Sequence, residues 1–198
     1  MQQRSEETRA HILAAAGGLF ARYGYEAASV AEICSTAGVS KGAFYHHFSS
    51  KQMLFLALLE DWLGSIEKEL RLLQPAGDIP TALAEIAARS GGLFQAAGGQ
   101  LHLFLEFWTQ ASRQPAVWSA AIAPYRRYEH IFAGMIAKGV EEGSLSPEVD
   151  ADPAAKVIVG LAMGLFLLAL FNPDGAAWGN VAQEGMSILI DGMKRRGA

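Results

Sequence analysis

The chain has 198 residues, and 51% of them are hydrophobic, which is enough for a sizeable core and excludes disorder by composition. A single cysteine excludes an intrachain disulfide, and the N-terminal residues lack the apolar stretch of a signal peptide, so we expect a cytoplasmic protein. The net charge of −4 argues against a generally basic nucleic-acid binder, but residues 1–51 alone carry +1 and the remainder −5. This distribution favours contact with an anionic partner at a few points near the N-terminus.

Two helices are predicted at the start of the chain. From about Ser5 to Tyr23 apolar residues recur at helical spacing, and Gly24 can end this helix in the left-handed conformation. The second helix begins at a capping box, Ser29-Val30-Ala31-Glu32, in which the serine and glutamate side chains each satisfy a free backbone N–H group. Gly38 is expected to end it.

A very short turn follows, and it predicts a helix-turn-helix motif. Gly38-Val39-Ser40 leaves almost no linker before a third helix at about 41–48, for which Ser40 is the expected N-cap. At 100° per residue, Phe44 and Phe48 share one side of this helix and face the core. The opposite side then exposes small and hydrogen-bonding residues, which suit insertion into a DNA major groove. The residues of this exposed face and its flanks are Lys41, Gly42, Ala43, Tyr45, His46 and His47.

The remaining segments also read as helical. A second capping box, Ser49 to Gln52, opens a fourth helix that carries Lys51 and ends near Leu73. Further helices are expected at about 80–97, 99–113, 116–142, 152–171 and 175–195, and no segment alternates apolar and polar residues as a strand does. We expect an all-α fold of about nine helices. A three-helix DNA-binding domain occupies residues 1–50, and a helical ligand-binding and dimerisation domain occupies residues 51–198.

The run 157–171 contains 15 residues without a polar side chain. It is shorter than the roughly 20 apolar residues of a membrane span, and Lys156 and Asn172 bound it, so we expect no membrane contact. A helix that is apolar all round must be buried, and small residues four apart allow close helix approach. We therefore expect a two-fold dimer interface with the last helix, and burial within one subunit is the alternative. The expected interface residues are Gly160, Gly164, Leu167, Leu168, Phe171, Met186, Leu189 and Met193.

A candidate ligand pocket lies in the second half of the chain. His102 and Glu106 are one helical turn apart in an aromatic segment, and they can either anchor a ligand or form a structural pair. The sequence favours neither alternative, and any one of the nearby aromatic side chains is more often plain core than part of a ligand pocket. The candidate ligand-binding residues are Trp62, Phe94, His102, Glu106, Phe107, Trp108, Tyr125 and Tyr128.

The stretch from Ile12 to Leu59 resembles the DNA-binding domain of TetR-type (tetracycline-repressor) regulators. The resemblance is carried by LFARYGYEAASVAEICSTAGVSKGAFYHHFSSKQMLFLALL, and above all by the segment from Ala37 to Lys51. It covers roughly a quarter of the chain. The rest matches this family only in length and helical pattern, and there the resemblance implies a dimer interface and a ligand pocket.

The resemblance also implies roles for individual residues. Those implied to contact DNA phosphates are Ser29, Tyr45, His47 and Lys51, and those implied to lie against base edges are Lys41, Ala43 and His46. Ala43 is smaller than the threonine often found at this position, which leaves room for a thymine methyl group. His46 stands where an aromatic residue is usual.

These expectations describe a ligand-responsive transcriptional regulator, more a repressor than an activator. It would bind a palindromic operator as a homodimer and be released by a small, largely apolar molecule, whose binding shifts the fourth helix. One alternative is a helical small-molecule-binding dimer without regulatory DNA binding, and another is an enzyme with His102 and Glu106 as acid and base.

Catalysis, a cofactor and a metal site are not expected from this sequence. It contains no nucleophile elbow, phosphate-binding loop, dinucleotide-binding glycine fingerprint or zinc-ligand spacing. The adjacent residues His46 and His47 diverge by 100° on a helix, so they are not expected to share one metal ion.

Overall fold

The computed structural model describes residues 2–72, 77–97, 105, 108–109, 111–172 and 174–194. Within these ranges the chain forms eight α-helices and no strand, which confirms the all-α class. The helices are α1 (Gln2–Tyr23), α2 (Val30–Ala37), α3 (Lys41–His47), α4 (Lys51–Leu72), α5 (Ile79–Ala97), α6 (Pro115–Glu141), α7 (Ala151–Phe171) and α8 (Trp178–Met193). The helix expected at about 99–113 lies mostly outside the described residues.

Most helix boundaries agree with the expected ones to within two residues, and two starts differ by three. Helix α1 begins at Gln2 rather than Ser5, because no glycine or proline precedes the expected start. Helix α8 begins at Trp178 rather than residue 175, because the chain first makes a turn in which the Gly175 N–H donates to the Asn172 carbonyl oxygen at 3.0 Å.

The packing divides the chain into two compact units. One contains Met1–Ser65 and His102–Ile122, and the other contains Ile66–Leu101 and Ala123–Ala198. The expected domain boundary after residue 50 stays a prediction, because it concerns which segment binds DNA and these units are defined by packing alone.

An aromatic cluster anchors the core of the first unit. The rings of Phe20, Tyr25 and Phe55 are all buried, and their centroids lie 5.3–5.5 Å apart in tilted and edge-on arrangements. Such pairs add about 0.5–1.5 kcal/mol each beyond their burial. Because these side chains come from α1, the loop after α1, and α4, the cluster fixes that loop between the two helices.

In the second unit, α8 packs against α5 and α7. Its buried residues recur at helical spacing, and they are Ala182, Met186, Ile190 and Met193. Met186 and Met193 are buried inside the subunit, whereas the sequence predicted that they lie at a dimer interface. The physical reason is that α8 packs against both α5 and α7 within the chain, which leaves Val181 and Ile188 exposed on α8 instead.

Gly139 allows α6, the following loop and α5 to approach closely. A Cβ atom on Gly139 would lie 2.8 Å from Leu145 Cδ1 and 3.0 Å from Ile79 Cβ. Nearby, the Ile79 N–H donates to Glu142 Oε1 at 3.0 Å, so the start of α5 is hydrogen-bonded to the residue that follows α6. Only a residue without a side chain fits at this point.

We expect Gly139→Ala to lower the free energy of unfolding by about 1–3 kcal/mol, because the new methyl group overpacks a filled site. The matched control is Gly134→Ala on the same helix, where no atom lies within 4 Å of the added Cβ. There alanine should raise stability by about 0.5–1 kcal/mol through helix propensity. Urea unfolding of both variants checks the pair, and equal effects would contradict the close approach at Gly139.

Candidate nucleic-acid interface

The turn between α2 and α3 has the geometry of a helix-turn-helix motif. Gly38 adopts φ 67°, and the Val39 N–H donates to the Cys34 carbonyl oxygen at 3.0 Å, which ends α2. The Ser40 hydroxyl oxygen then accepts the Ala43 N–H at 3.1 Å and caps α3. The sequence predicts this turn correctly because each of its residues has a local conformational reason to occupy its position.

Helix α3 is held to the core by two phenylalanines. Phe44 is 0% exposed and Phe48 is buried, with ring centroids 6.0 Å apart. Tyr45 is 55% exposed and packs edge-on against Phe44. Of the other residues expected on the open side, Lys41, Gly42 and His46 are exposed, and Ala43 and His47 are half-buried. The helix therefore presents the expected surface.

Ser29 and Glu32 form the expected capping box at the start of α2. The Ser29 N–H donates to Glu32 Oε2 at 2.9 Å, and the Glu32 N–H donates to the Ser29 hydroxyl oxygen at 3.2 Å. The Ser29 hydroxyl also donates to Glu32 Oε2 at 2.7 Å. A phosphate contact by this hydroxyl must therefore displace a carboxylate, which the sequence alone does not reveal.

The same contacts set the protonation behaviour of Glu32. Hydrogen bonds from the Ser29 side chain and backbone hold the pKa of Glu32 below its usual value. A lowered pKa means that the capping box contributes fully at neutral pH and weakens only as the pH falls through that lowered value. A negative charge thus persists beside Ser29 under ordinary conditions.

Lys51 is engaged within the protein. Its ammonium donates to the carbonyl oxygens of Tyr25 at 2.9 Å, Ala28 at 3.2 Å and Glu26 at 3.3 Å. It also lies 4.4 Å from the centroid of the Tyr25 ring. These contacts differ from the expected role of Lys51 at a DNA phosphate, because the carbonyl groups of the α1–α2 loop converge on its ammonium.

Arg9 adds a positive group that sequence reasoning missed. Its guanidinium lies 5.5 Å from the centroid of the Phe48 ring, at the end of α3. Nothing in the local sequence predicts this pairing, because the two residues are 39 positions apart and meet only after α1 and α3 pack together. Arg9 thus supports the end of α3 and places a cation beside it.

The candidate ligand-binding residues are only partly described. His102, Glu106 and Phe107 lie outside the described residues, and so does the side chain of Phe94. Trp62 and Trp108 are half-buried in the first unit. In the second unit Tyr125 and Tyr128 pack edge-on, with ring centroids 6.4 Å apart. Burial, and then the neighbouring Tyr128, raises the pKa of Tyr125, so Tyr125 keeps its phenolic proton at neutral pH.

Helix α7 leaves much of its apolar surface uncovered within the chain. Leu168 and Phe171 are 50% and 69% exposed, and Ile188 of α8 is 64% exposed. A Cβ atom on Gly160 or Gly164 would have no atom of the described part of the chain within 4 Å, apart from its own helix backbone and its two neighbours. Of the other expected interface residues on these helices, Leu167 is exposed and Leu189 is half-buried. Complete burial of α7 within one subunit, the alternative in the sequence analysis, is therefore wrong.

Comparison with known proteins agrees with this geometry in both parts of the chain. Residues 12–58 match the family model "Bacterial regulatory proteins, tetR family". Residues 93–191 match the model "BetI-type transcriptional repressor, C-terminal". The two matched regions together extend from α1 to α8.

Individual relatives match over almost the whole length. The chain is 26% identical over 194 residues to the HTH-type transcriptional regulator UidR of Escherichia coli K12, covering 98% of this chain and 96% of that protein. It is 25% identical over 197 residues to the HTH-type transcriptional repressor KstR2 of Mycobacterium tuberculosis, covering 96% and 94%. A putative transcriptional regulator from Pseudomonas aeruginosa PAO1 has a similar structure, with TM-score 0.78, 26% identity, and coverage of 96% and 90%. The chain belongs to the TetR family of ligand-responsive, DNA-binding transcriptional regulators.

Proposed function

We propose that this protein is a cytoplasmic repressor that binds a palindromic operator as a homodimer and is released by a small, largely apolar molecule. The observation that carries the proposal is the surface of α3, where Lys41, Tyr45 and His46 are exposed on a helix fixed by two buried phenylalanines. In a two-fold dimer, two such helices would read half-sites about 34–36 Å apart.

Within each half-site we assign the exposed residues to two groups. Lys41, Ala43 and His46 lie against base edges, and the small side chain of Ala43 favours contact with a thymine methyl group. Tyr45 and His47 contact phosphates and set the position of the helix. Ser29 reaches a phosphate only when its hydroxyl leaves Glu32, so its contact is the weakest of the group.

The uncovered apolar surface of α7 and α8 supports the homodimer. Exposed large apolar residues gathered on adjoining helices are unusual in a monomer. Over Ala151–Ala169 the mean hydropathy is 1.7 and 22% of the residues are buried, so by length and composition α7 could also cross a membrane. However, Asp152 and Lys156 lie within this segment, and only 15 residues follow without a polar side chain. Contact with a second copy of α7 therefore explains this exposed apolar surface better than contact with a membrane.

Aromatic residues within each unit support an apolar inducer. In the first unit Trp62 and Trp108 offer half-buried apolar surface, and in the second unit Tyr125 and Tyr128 pack edge-on. The relative KstR2 is described as a ketosteroid transcriptional regulator, which makes an apolar inducer chemically reasonable here as well. We extend to this chain the role of its relatives as regulators rather than enzymes.

Selection of bound duplexes from a random DNA pool tests the proposal, at about 0.15 M salt where weak phosphate-only binding is screened. We expect an enriched palindrome whose half-sites are one helical turn apart. The competing function, a ligand-binding dimer without regulatory DNA binding, predicts no enrichment from a folded, dimeric protein. Apolar compounds are then screened for those that change the tryptophan emission of the protein. An inducer must also lower the affinity of the protein for the enriched duplex.

A further inference from the structure

We propose that Lys51 is a positioning residue for DNA binding, which holds the α1–α2 loop against the start of α4, and not a phosphate ligand. The inference rests on the proposed function, because Lys51 is given the role of fixing the position in which α2 and Ser29 meet the operator. A lysine at the start of a helix beside a DNA-binding motif would ordinarily be assigned to a phosphate. The structure gives its ammonium different partners.

The Lys51 ammonium already has a carbonyl partner for each of its hydrogens. Lysine carries three donor hydrogens and no acceptor. The Lys51 ammonium has three carbonyl oxygens within 3.3 Å, those of Tyr25, Glu26 and Ala28. A phosphate bond would therefore require Lys51 to give up one of these carbonyls.

The bonds from Lys51 reach a loop whose side chains are largely inside the protein. Tyr25 and Ala28 are buried, residues 24–29 belong to no helix, and the bonds from the Lys51 ammonium to the carbonyl oxygens of Tyr25 and Ala28 are part-buried. Hydrogen bonds from a charged donor are stronger than neutral ones, and loss of a partly buried one is costly. Lys51 therefore stabilises the loop from outside it.

The loop held by Lys51 leads directly into the N-cap of α2. Ser29 directly follows Ala28 and caps α2, so the bonds from Lys51 to the loop fix the residue before the cap. The ring of Tyr25 lies 4.4 Å from the ammonium, and it also packs on Phe20 and Phe55. Lys51 thus links the start of α4 to the start of α2 and sets where α2 stands when α3 enters a groove.

Two substitutions separate positioning from phosphate contact. Lys51→Met keeps the aliphatic stem and removes the ammonium, whereas Lys51→Arg keeps the charge and changes the donor geometry from a compact point to a planar fork. A phosphate accepts either cation, but three converging carbonyls fit the ammonium better. Lys41→Met is the matched control, because Lys41 is exposed on α3.

The measurements are hydrogen exchange of residues 24–29 in the free protein, and affinity for the selected operator duplex across a range of salt concentrations. For Lys51→Met we expect exchange at least about tenfold faster in this loop and operator affinity at least about tenfold weaker, with the salt dependence of wild type. Lys51→Arg should show the same defects in milder form. Lys41→Met, which removes a cation assigned to base edges, should weaken affinity for the selected duplex more than for unrelated DNA, without altering exchange in the loop.

Three results would overturn the proposal. A fall in the salt slope of about 1.8 per dimer in Lys51→Met, with loop exchange unchanged, would show two lost phosphate contacts. Full operator affinity in Lys51→Arg together with wild-type loop exchange would show that charge alone matters. Faster loop exchange with unchanged operator affinity in both variants would reduce Lys51 to a purely structural role. If wild type binds no duplex, the proposed function fails, while the exchange measurement still tests the contact between Lys51 and the loop.

Discussion

Gly164→Leu is expected to convert the dimer into monomers and thereby to abolish tight operator binding. Among the described residues nothing lies within 4 Å of a Cβ atom at Gly164, so the fold of a single subunit accepts the larger side chain. In a two-fold interface each substitution occurs twice, and overpacking costs about 1–3 kcal/mol at each copy. The dimer dissociation constant should therefore rise by roughly 30-fold to 10⁴-fold.

Sedimentation at several concentrations measures this dissociation, and operator titration measures its consequence. Two half-sites bound by one dimer reinforce each other, so monomers should lose most of the affinity for the palindrome but keep helical content. Gly134→Leu is the control, because Gly134 is an exposed helical glycine with equally open surroundings. A Gly164→Leu protein that remains a dimer of wild-type affinity would place the interface elsewhere.

The helix-turn-helix region could be predicted from sequence because its determinants are local. Ser29, Gly38 and Ser40 cap or end helices through partners at most four residues away, and the structure contains each of those bonds. The spacing of Phe44 and Phe48 then identifies the buried side of α3 by helical geometry alone. These features fix which side of α3 is exposed without any long-range information.

The contacts that sequence reasoning missed are long-range. The Lys51 ammonium meets carbonyl groups 23 to 26 positions away, and Arg9 meets Phe48 across the α1–α3 packing. No periodicity encodes such pairs, because they depend on how the helices and the α1–α2 loop pack in three dimensions.

The same limit explains the division of α8 into two faces. Its sequence is apolar on more than one side, and only its packing against α5 and α7 decides that Met186 and Met193 are buried while Ile188 remains exposed. The pattern of apolar residues therefore predicted that α8 is buried, but it did not identify which of its side chains pack inside the subunit and which stay exposed.

Phe44→Ala should cost about 3–5 kcal/mol of stability, while the neighbouring change Tyr45→Ala should leave stability almost unchanged and weaken DNA binding. Phe44 is fully buried and packs on Phe48, so its removal leaves a cavity beneath α3. Tyr45 is 55% exposed, so its ring contributes little to the core and remains available to a phosphate. Thermal unfolding measures the first effect, and operator titration the second.

This pair separates folding from recognition on one helix. Tyr45→Phe refines the test, because it keeps the edge-on ring contact with Phe44 and removes only the hydroxyl group. A phosphate hydrogen bond donated by that hydroxyl predicts a loss of about 1.5–3 kcal/mol of binding free energy for each copy, with unfolding unaffected. If Tyr45→Phe binds operator as wild type does and Tyr45→Ala does not, the ring acts by packing against the DNA backbone. If both bind normally, α3 enters the groove by another face, and the orientation set by Phe44 and Phe48 is not the one used on DNA.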